Sequence, residues 1–460
     1  MSERRTFSRE LIAERTWPFI LDLSVAAALL AGFYAILWIA KFWFSSAIPE
    51  VAIQRSPWHL PLYAFYSTAR IFIAYILSLA FAIIYGYIAA YNPRVEGLMI
   101  ATLDILQSIP VLSFLPGVML AMMSLFPSRQ IGIEMGAILL IFTGEVWNMA
   151  FSFYSSLKSI PRELREACDI NHFSPLQRLF QLELPFATIG LVWNSMVSVA
   201  SGWFFLIVCE MFPVGSRNFR LPGLGSYLQT AASNGDTQAM VYGVITMVLI
   251  IVLTDQLLWR PLIAWSDKFK FESVESVDRV RSPILHILRN SNVVDFLQRR
   301  AFTPIREDMY RRIALRREHH TARKQSRRVS RRTAGIVTIV LCIAAFAAVI
   351  VAAFHATLLL RNIHAHQLLE IFEGAGATFL RVNVSLLLAS LWTIPVGVAI
   401  GFNPRLAHIT QPLAQIAASF PATALFPVIL LGLMSLGLGL GIGSIALMML
   451  GTQWYILFNV

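Results

Sequence analysis

The sequence predicts an all-α membrane protein built of two tandem polytopic helical units, and three observations carry that expectation. Composition is the first: 57% of residues are hydrophobic, only 14% are charged, and mean hydropathy is +0.65. Soluble domains carry about 25% charged residues. The second is the length of the charge-free runs, since about 20 apolar residues cross the bilayer core. Leu23–Ala40, Ile71–Tyr91, Ile105–Ser128, Ala334–Leu360 and Val382–Phe402 reach or approach that length. Leu406–Val460 has no Asp, Glu, Lys or Arg over 55 residues, and SLGLGLGIG at Ser435–Gly443 divides it into two spans. Further spans read at 131–156, 186–209 and 238–265, giving ten in all.

The third observation is an internal repeat. Arg70–Pro116 aligns with Arg381–Pro427 at a constant offset of 311 without a gap, with 11 identities in 47 positions. Gly86 falls on Gly397, Asn92-Pro93-Arg94 on Asn403-Pro404-Arg405, Ser108 on Ser419, Pro110 on Pro421 and Pro116 on Pro427. Most of these residues punctuate turns and kinks, so a shared architecture is the simplest cause. At an offset of 307, GEVWNMAF at Gly144–Phe151 matches GTQWYILF at Gly451–Phe458.

These patterns divide the chain into an N-terminal segment, 1–17, a first unit of about six spans, 18–265, a basic linker, 266–333, and a second unit, 334–460. The N-terminal MSERRTFSRELIAER has four Arg and no small-residue cleavage site, and reads as a retained cytoplasmic end. Net charge is +11, and the linker holds +10 of it, with 18 Lys or Arg against 8 Asp or Glu. Its RRIALRREHHTARKQSRRVSRR tail runs straight into a span and has few aromatics for base stacking. Attraction to anionic lipid, at about 1 kcal/mol per basic residue, therefore fits better than nucleic acid. Cys168, Cys209 and Cys342, like the nine histidines, are too scattered for a metal site.

With the N-terminus inside, Asn92-Pro93-Arg94 and the segment 157–185 are cytoplasmic, 213–236 is external, and the linker is cytoplasmic. Lys158, Arg162, Arg165 and Arg178 then lie inside, as the charge bias requires. The 157–185 loop reads as two short helices. Ser159 is a candidate cap for the first, with Pro161 in its first turn and Leu164, Ala167 and Cys168 as a narrow apolar stripe. Asn171-His172 is the turn. Ser174-Pro175-Leu176-Gln177 opens the second as a capping box, and Pro185 punctuates entry into the next span. Two amphipathic faces in one connection point to a docking surface.

The spacing Glu166-Ala167-Cys168, three residues, His172, nine, Leu182, one, Leu184-Pro185 resembles the EAA signature of binding-protein-dependent ABC importer permeases. LDILQSIPVLSFLP at Leu103–Pro116, and Glu210 followed by GLGSYL at Gly223–Leu228, are similar to the nitrate/sulfonate/taurine-type branch, whose fused, duplicated permeases the whole chain resembles. The resemblance implies a type I ABC importer fold, a bacterial inner-membrane location and no cofactor. It also implies two partners: a pair of cytoplasmic ABC ATPase subunits, since no G-x-x-x-x-G-K-[ST] phosphate loop occurs here, and an extracytoplasmic solute-binding protein. Glu163, Glu166, Ala167, Cys168, His172, Leu182, Leu184 and Pro185 would form the ATPase-coupling loop.

Two departures from the signature stand out. Cys168 replaces a small Ala. His172 replaces a Gly that permits a positive-φ turn, so Asn171 is expected to take that role one residue earlier. Gln107, Ser108, Pro110 and Ser113, with Ser419, Pro421 and Thr423 in the second half, are the candidate translocation path, against a reading as packing serines and structural kinks. Asp104, Glu134, Glu145 and Glu210 are costly in a membrane unless they face a cavity or a partner. An anion would meet Arg70 or Arg381 at the outer end, where each could equally be a snorkelling anchor. An ion-gradient-driven secondary transporter with duplicated halves is the alternative; it leaves the doubly capped loop unexplained. By the 307 offset a second Glu-Ala-Ala would begin near position 473, so the second unit is expected to be truncated after about four spans.

Overall fold

A computed structural model describes residues 51–126, 130–214, 217–269, 365–418 and 440–460, with isolated positions elsewhere. The expected span Leu23–Ala40, apart from isolated positions, the span Ala334–Leu360, most of the linker, the 1–17 segment and the Ser435–Gly439 turn lie outside them. The chain divides into two compact units, Met1–Pro304 with Ile400–Gly432, and Ile305–Ala399 with Leu433–Val460.

In the first unit α1 spans Leu60–Tyr91, α2 Glu96–Ser108, α3 Val111–Leu125, α4 Gln130–Ser159 and α5 Arg162–Ile170. Next come α6, Pro175–Glu210, strands β1, Met211–Val214, and β2, Arg217–Arg220, then α7, Leu224–Ser233, and α8, Thr237–Phe269. α1, α4, α6 and α8 are each long and apolar enough to cross a membrane.

α1 and α4 run parallel. A Cβ added at Gly86 would lie 2.9 Å from Phe153 Cδ1, while sixteen residues earlier Arg70 bonds Glu134, so the starts of the two helices meet and their ends meet. Between two parallel spans the chain must cross back, and Glu96–Leu125 forms a bent helix pair in that connection. The expected single span Ile105–Ser128 is therefore corrected: Glu96–Ser108 and Ser113–Leu125 meet at 101°. Pro110 lacks an N–H and pushes the residue before it out of the helical region, and Ile109 is extended at ψ 121°.

α6 is antiparallel to α1, since Glu183 meets Tyr91 and Glu210 meets Ser67. Pro185, expected to punctuate entry into the span, does so without ending the helix. Helix continues from Pro175 through a π turn at Leu179–Glu183, where the Leu184 N–H reaches the Leu179 carbonyl. The wider turn makes room for a ring that would clash with the carbonyl four residues back. α8 repeats the device, with a π turn at Asp255–Trp259 ahead of Pro261.

Lipid tails are as apolar as leucine, so close approach of backbones holds such helices together. The buried face of α1 includes Ala74, Ser78, Ala82 and Gly86, four residues apart, and Gly86 sits against Phe153 and Ala150 of α4. The second unit shows the same register. There α9 spans Ala365–Phe402 and α11 Leu440–Asn459; α10, Pro404–Ala418, falls with the first unit. α9 buries Ser385, Ala389, Thr393 and Gly397, the residues 311 positions on, and Gly397 meets Leu457 and Val460, which are 307 beyond Ala150 and Phe153.

Candidate functional site

Two constructions stand at opposite ends of the first unit. One is the 157–185 loop. α5 begins at Arg162 with Pro161 as its cap; Ser159, expected to cap it, ends α4 and donates its hydroxyl to the Ser156 carbonyl. Arg165 reaches back to the Leu157 carbonyl at 2.6 Å and holds α5 against the end of α4.

At the other end of α5, the His172 N–H bonds the Asp169 carbonyl at 3.0 Å and the Phe173 N–H bonds the Cys168 carbonyl at 2.9 Å. That pair is a Schellman ending, and its left-handed residue is His172, at φ 52°, not Asn171, at φ −77°. The expected shift of the turn to Asn171 is thus corrected: His172 adopts the conformation a Gly would supply. Asn171 instead bonds the Ala167 carbonyl through its amide. The capping box forms as expected, with Gln177 N–H donating to Ser174 Oγ at 3.2 Å and Ser174 N–H to Gln177 Oε1 at 2.8 Å.

The loop has an inner and an outer face. Leu164 and Cys168 face the helices and pack with Leu157, Ile160 and Leu182. Ala167, expected on that stripe, is exposed, as are Glu163, Glu166 and His172. Ile170 is 77% exposed, a large apolar side chain on the outer face. Cys168 is buried, and desolvation pushes its thiol up. Leu182 is buried, while Leu184 and Pro185 are half-buried. Arg178 joins the pieces: it lies 3.7 Å from Asp169 Oδ1 on α5 and 3.1 Å from Glu183 Oε1, and it covers the Tyr91 ring at 5.5 Å. Tyr91 donates to the same Glu183 carboxylate. Nearby, Glu96 of α2 takes Lys158 at 2.7 Å and the Tyr154 hydroxyl at 2.6 Å.

The second construction lies at the start of α1. The Arg70 guanidinium, 1% exposed, donates through Nε and Nη2 to both oxygens of Glu134, at 2.6 and 2.7 Å. Its Nη1 donates to Glu210 Oε1 at 2.7 Å and to the Pro222 carbonyl at 2.9 Å. Ser67 donates to Glu210 Oε1 at 2.6 Å and accepts from the Leu224 N–H at 2.9 Å. Gly225 N–H donates to Glu210 Oε2 at 2.7 Å, so this carboxylate occupies the positive end of α7. The network ties α1, α4, α6 and α7 together, and the short β1–β2 hairpin sits in the connection it closes. It corrects the reading of Arg70 as an anion site or a snorkelling anchor: its charge is spent inside the fold. The sequence singled out Arg70, Glu134 and Glu210, but neither Ser67 and Pro222 nor the pairing. The available signal was charge balance, one buried cation among acids that each needed a partner.

Along the candidate path, Gln107, Ser108, Pro110 and Ser113 are exposed at the α2–α3 break, beside exposed Asp104. Ser108 satisfies its hydroxyl on the Ile105 carbonyl. Ser419, Pro421 and Thr423 lie outside the described residues. Glu145 of α4 is fully buried against Gly202 of α6, and neither carboxyl oxygen has a hydrogen-bond partner among the described residues.

Residues 82–258 match the family described as binding-protein-dependent transport system inner membrane component. These residues are an ABC transporter permease domain. Over 207 residues, 44% of this chain and 70% of the relative, the chain is 23% identical to SsuC of Bacillus subtilis (strain 168), a permease protein whose name assigns it to aliphatic sulfonates transport. The permease domain so matched contains the whole 157–185 loop and the Glu134 and Glu210 carboxylates, while Arg70 lies just ahead of it.

Proposed function

We propose that the chain is the transmembrane subunit of an ATP-driven importer for a small anion of the sulfonate, taurine or nitrate type, with ATP hydrolysis on separate cytoplasmic subunits. The observation that carries the coupling is the outer face of the loop. Glu163, Glu166, Ala167 and Ile170 are exposed on a helix whose inner face is packed and whose two ends are tied to α4 and α6. Ile170 adds an apolar contact to the acidic and small residues of that outer face.

In this reading the Glu183 end is cytoplasmic and the Arg70 end external. Arg94, Lys158, Arg162, Arg165 and Arg178 then fall inside, consistent with the positive-inside bias and a cytoplasmic N-terminus. Glu166 is the acidic contact to the ATPase, Ala167 permits close approach, and Cys168, Leu182, Leu184 and Pro185 hold the loop to the membrane helices. The hairpin and α7 face the solute-binding protein. The exposed polar side chains at the α2–α3 break, Gln107, Ser108 and Ser113, face the solute path, because polar groups at that depth require a non-lipid neighbour. The linker 266–333 lies on anionic lipid, between units 18–265 and 334–460.

Glu166→Lys tests the coupling. The protein should reach the membrane and melt as wild type, while hydrolysis stimulated by a solute-loaded binding protein is lost. Unchanged stimulation would remove Glu166 from the contact.

A further inference from the structure

We infer that Glu96 and Lys158 are positioning residues that pass movement of the docking helix α5 on to the α2–α3 break, so that the loop and the exposed polar groups at the break move together. The inference rests on the coupling reading of α5 and extends it to the solute path. The last turn of α4 is the shared mount. Arg165 of α5 donates to the Leu157 carbonyl at 2.6 Å and to the Lys158 carbonyl at 3.4 Å. From the same turn, Lys158 Nζ lies 2.7 Å from Glu96 Oε1, and Tyr154, one turn earlier on the same face of α4, donates to that oxygen at 2.6 Å. Glu96 stands in the first turn of α2, where the positive end of the helix favours a carboxylate. Lys158 thus joins α5 through its carbonyl and α2 through its ammonium.

α2 is held in a way that lets it pivot. Leu103 is its buried side chain, packed in one cluster with Ala82 of α1 and Met149 and Phe153 of α4, while the rest of α2 is half-buried or exposed. Tyr85 of α1 donates to the Met99 carbonyl at 2.7 Å, between Leu103 and the first turn. Glu96 stands seven residues before Leu103, about 10 Å along the helix, and Ser108 five residues after it, about 8 Å. A rigid helix turning on Leu103 therefore carries a shift of its first turn to its last at nearly the same size and in the opposite direction. Gln107 and Ser108 lie at that last turn. Because Lys158 and Glu96 are both partly exposed, their pair adds little to stability. Its effect is to make the first turn of α2 follow the end of α4, and with it α5.

The test uses the full chain with its ATPase in lipid nanodiscs, with Cys168, Cys209 and Cys342 replaced by Ala and a bimane fluorophore on Gln107→Cys. Trapping the ATPase with ATP and vanadate should shift the bimane emission in the otherwise unchanged chain. Glu96→Lys should melt at the same temperature and keep the ATPase bound, yet lose the shift; Lys158→Glu should do the same. The exchanged pair, Glu96→Lys/Lys158→Glu, should recover it, which a residue that merely pads the surface would not do. A full shift in Glu96→Lys, no recovery in the exchanged pair, or release of the ATPase by either single change would overturn the link and leave the coupling reading standing. No shift in the parent chain, with the ATPase bound, would overturn the coupling reading and the link with it.

Discussion

Removing the Arg70 guanidinium should destabilise the first unit more than any surface change, and the structure sets the scale. Arg70→Met deletes four hydrogen bonds, two to Glu134, one to Glu210 and one to the Pro222 carbonyl, and leaves two fully buried carboxyls without their cation. Breaking a buried pair by removing one member costs about 3–5 kcal/mol, because the remaining charge stays desolvated. Spread over a unit of this size, that lowers the melting temperature by roughly 10 °C, at about 2–4 °C per kcal/mol. The assay is thermal unfolding of the detergent-solubilised protein, with limited proteolysis of 211–236, the segment that the network holds down. Removing the acids as well, in Arg70→Met/Glu134→Leu/Glu210→Gln, should recover most of the loss, since neutral groups carry no desolvated charge. Ser67→Ala should cost only about 1 kcal/mol, the scale of neutral hydrogen bonds. Arg70→Met melting within about 2 °C of wild type, with 211–236 still protected, would refute the claim that the network fastens this end.

His172→Gly should raise the melting temperature slightly, by about 1 kcal/mol of relieved left-handed strain, and His172→Val should lower it; the reverse order would contradict the Schellman ending. Native Cys168 should react slowly with maleimide, whereas Ala167→Cys in a Cys168→Ser background should react fast and be protected when the ATPase is bound. Gly225→Ala should lower the melting temperature, since its Cβ would lie 2.6 Å from the Ile207 Cα, which is backbone and cannot turn aside, while Gly97→Ala, with open space around it, should not. Single cysteines at Ser233 and Ser273 should label from opposite sides of the membrane, with Ser233 external.

What could be read from sequence tracks how far apart the partners lie. The capping box joins Ser174 to Gln177, three residues on, and the residues alone announced it. The spans at 71–91, 131–156, 186–209 and 238–265 were legible because hydrophobic length is a local quantity, and the structure extends each at one or both ends. Pro110 announced a kink but not its size, which depends on Ile109 and Pro110 both being extended. The Arg70 network was hidden because its members stand 64 and 140 positions apart, and one sequence carries no record of which acid meets which base. At Asn171 the general tolerance of asparagine for positive φ pointed one residue too early. The position of the last backbone bonds of α5, not side-chain preference, selects the left-handed residue, and here it is His172.

The two ends of the permease domain hold their helices by different means, and this bears on where motion can enter. At the Arg70 end one exposed pair, Arg55 with Asp236, accompanies a network whose Arg70, Glu134 and Glu210 are fully buried, so opening that network exposes desolvated groups all at once. At the Glu183 end, Arg178 and Lys158 are 20% and 40% exposed, and the Arg178 contact to Asp169 is 3.7 Å long, so water can replace these contacts a few at a time. Exposed ion pairs contribute about 0–1 kcal/mol each, against several for a buried one. The π turn at Leu179–Glu183, where one helix changes its hydrogen-bond pattern, lies at the same end. A push on the exposed face of α5 therefore meets the less resistant end of the bundle, with a firmly fastened far end to work against.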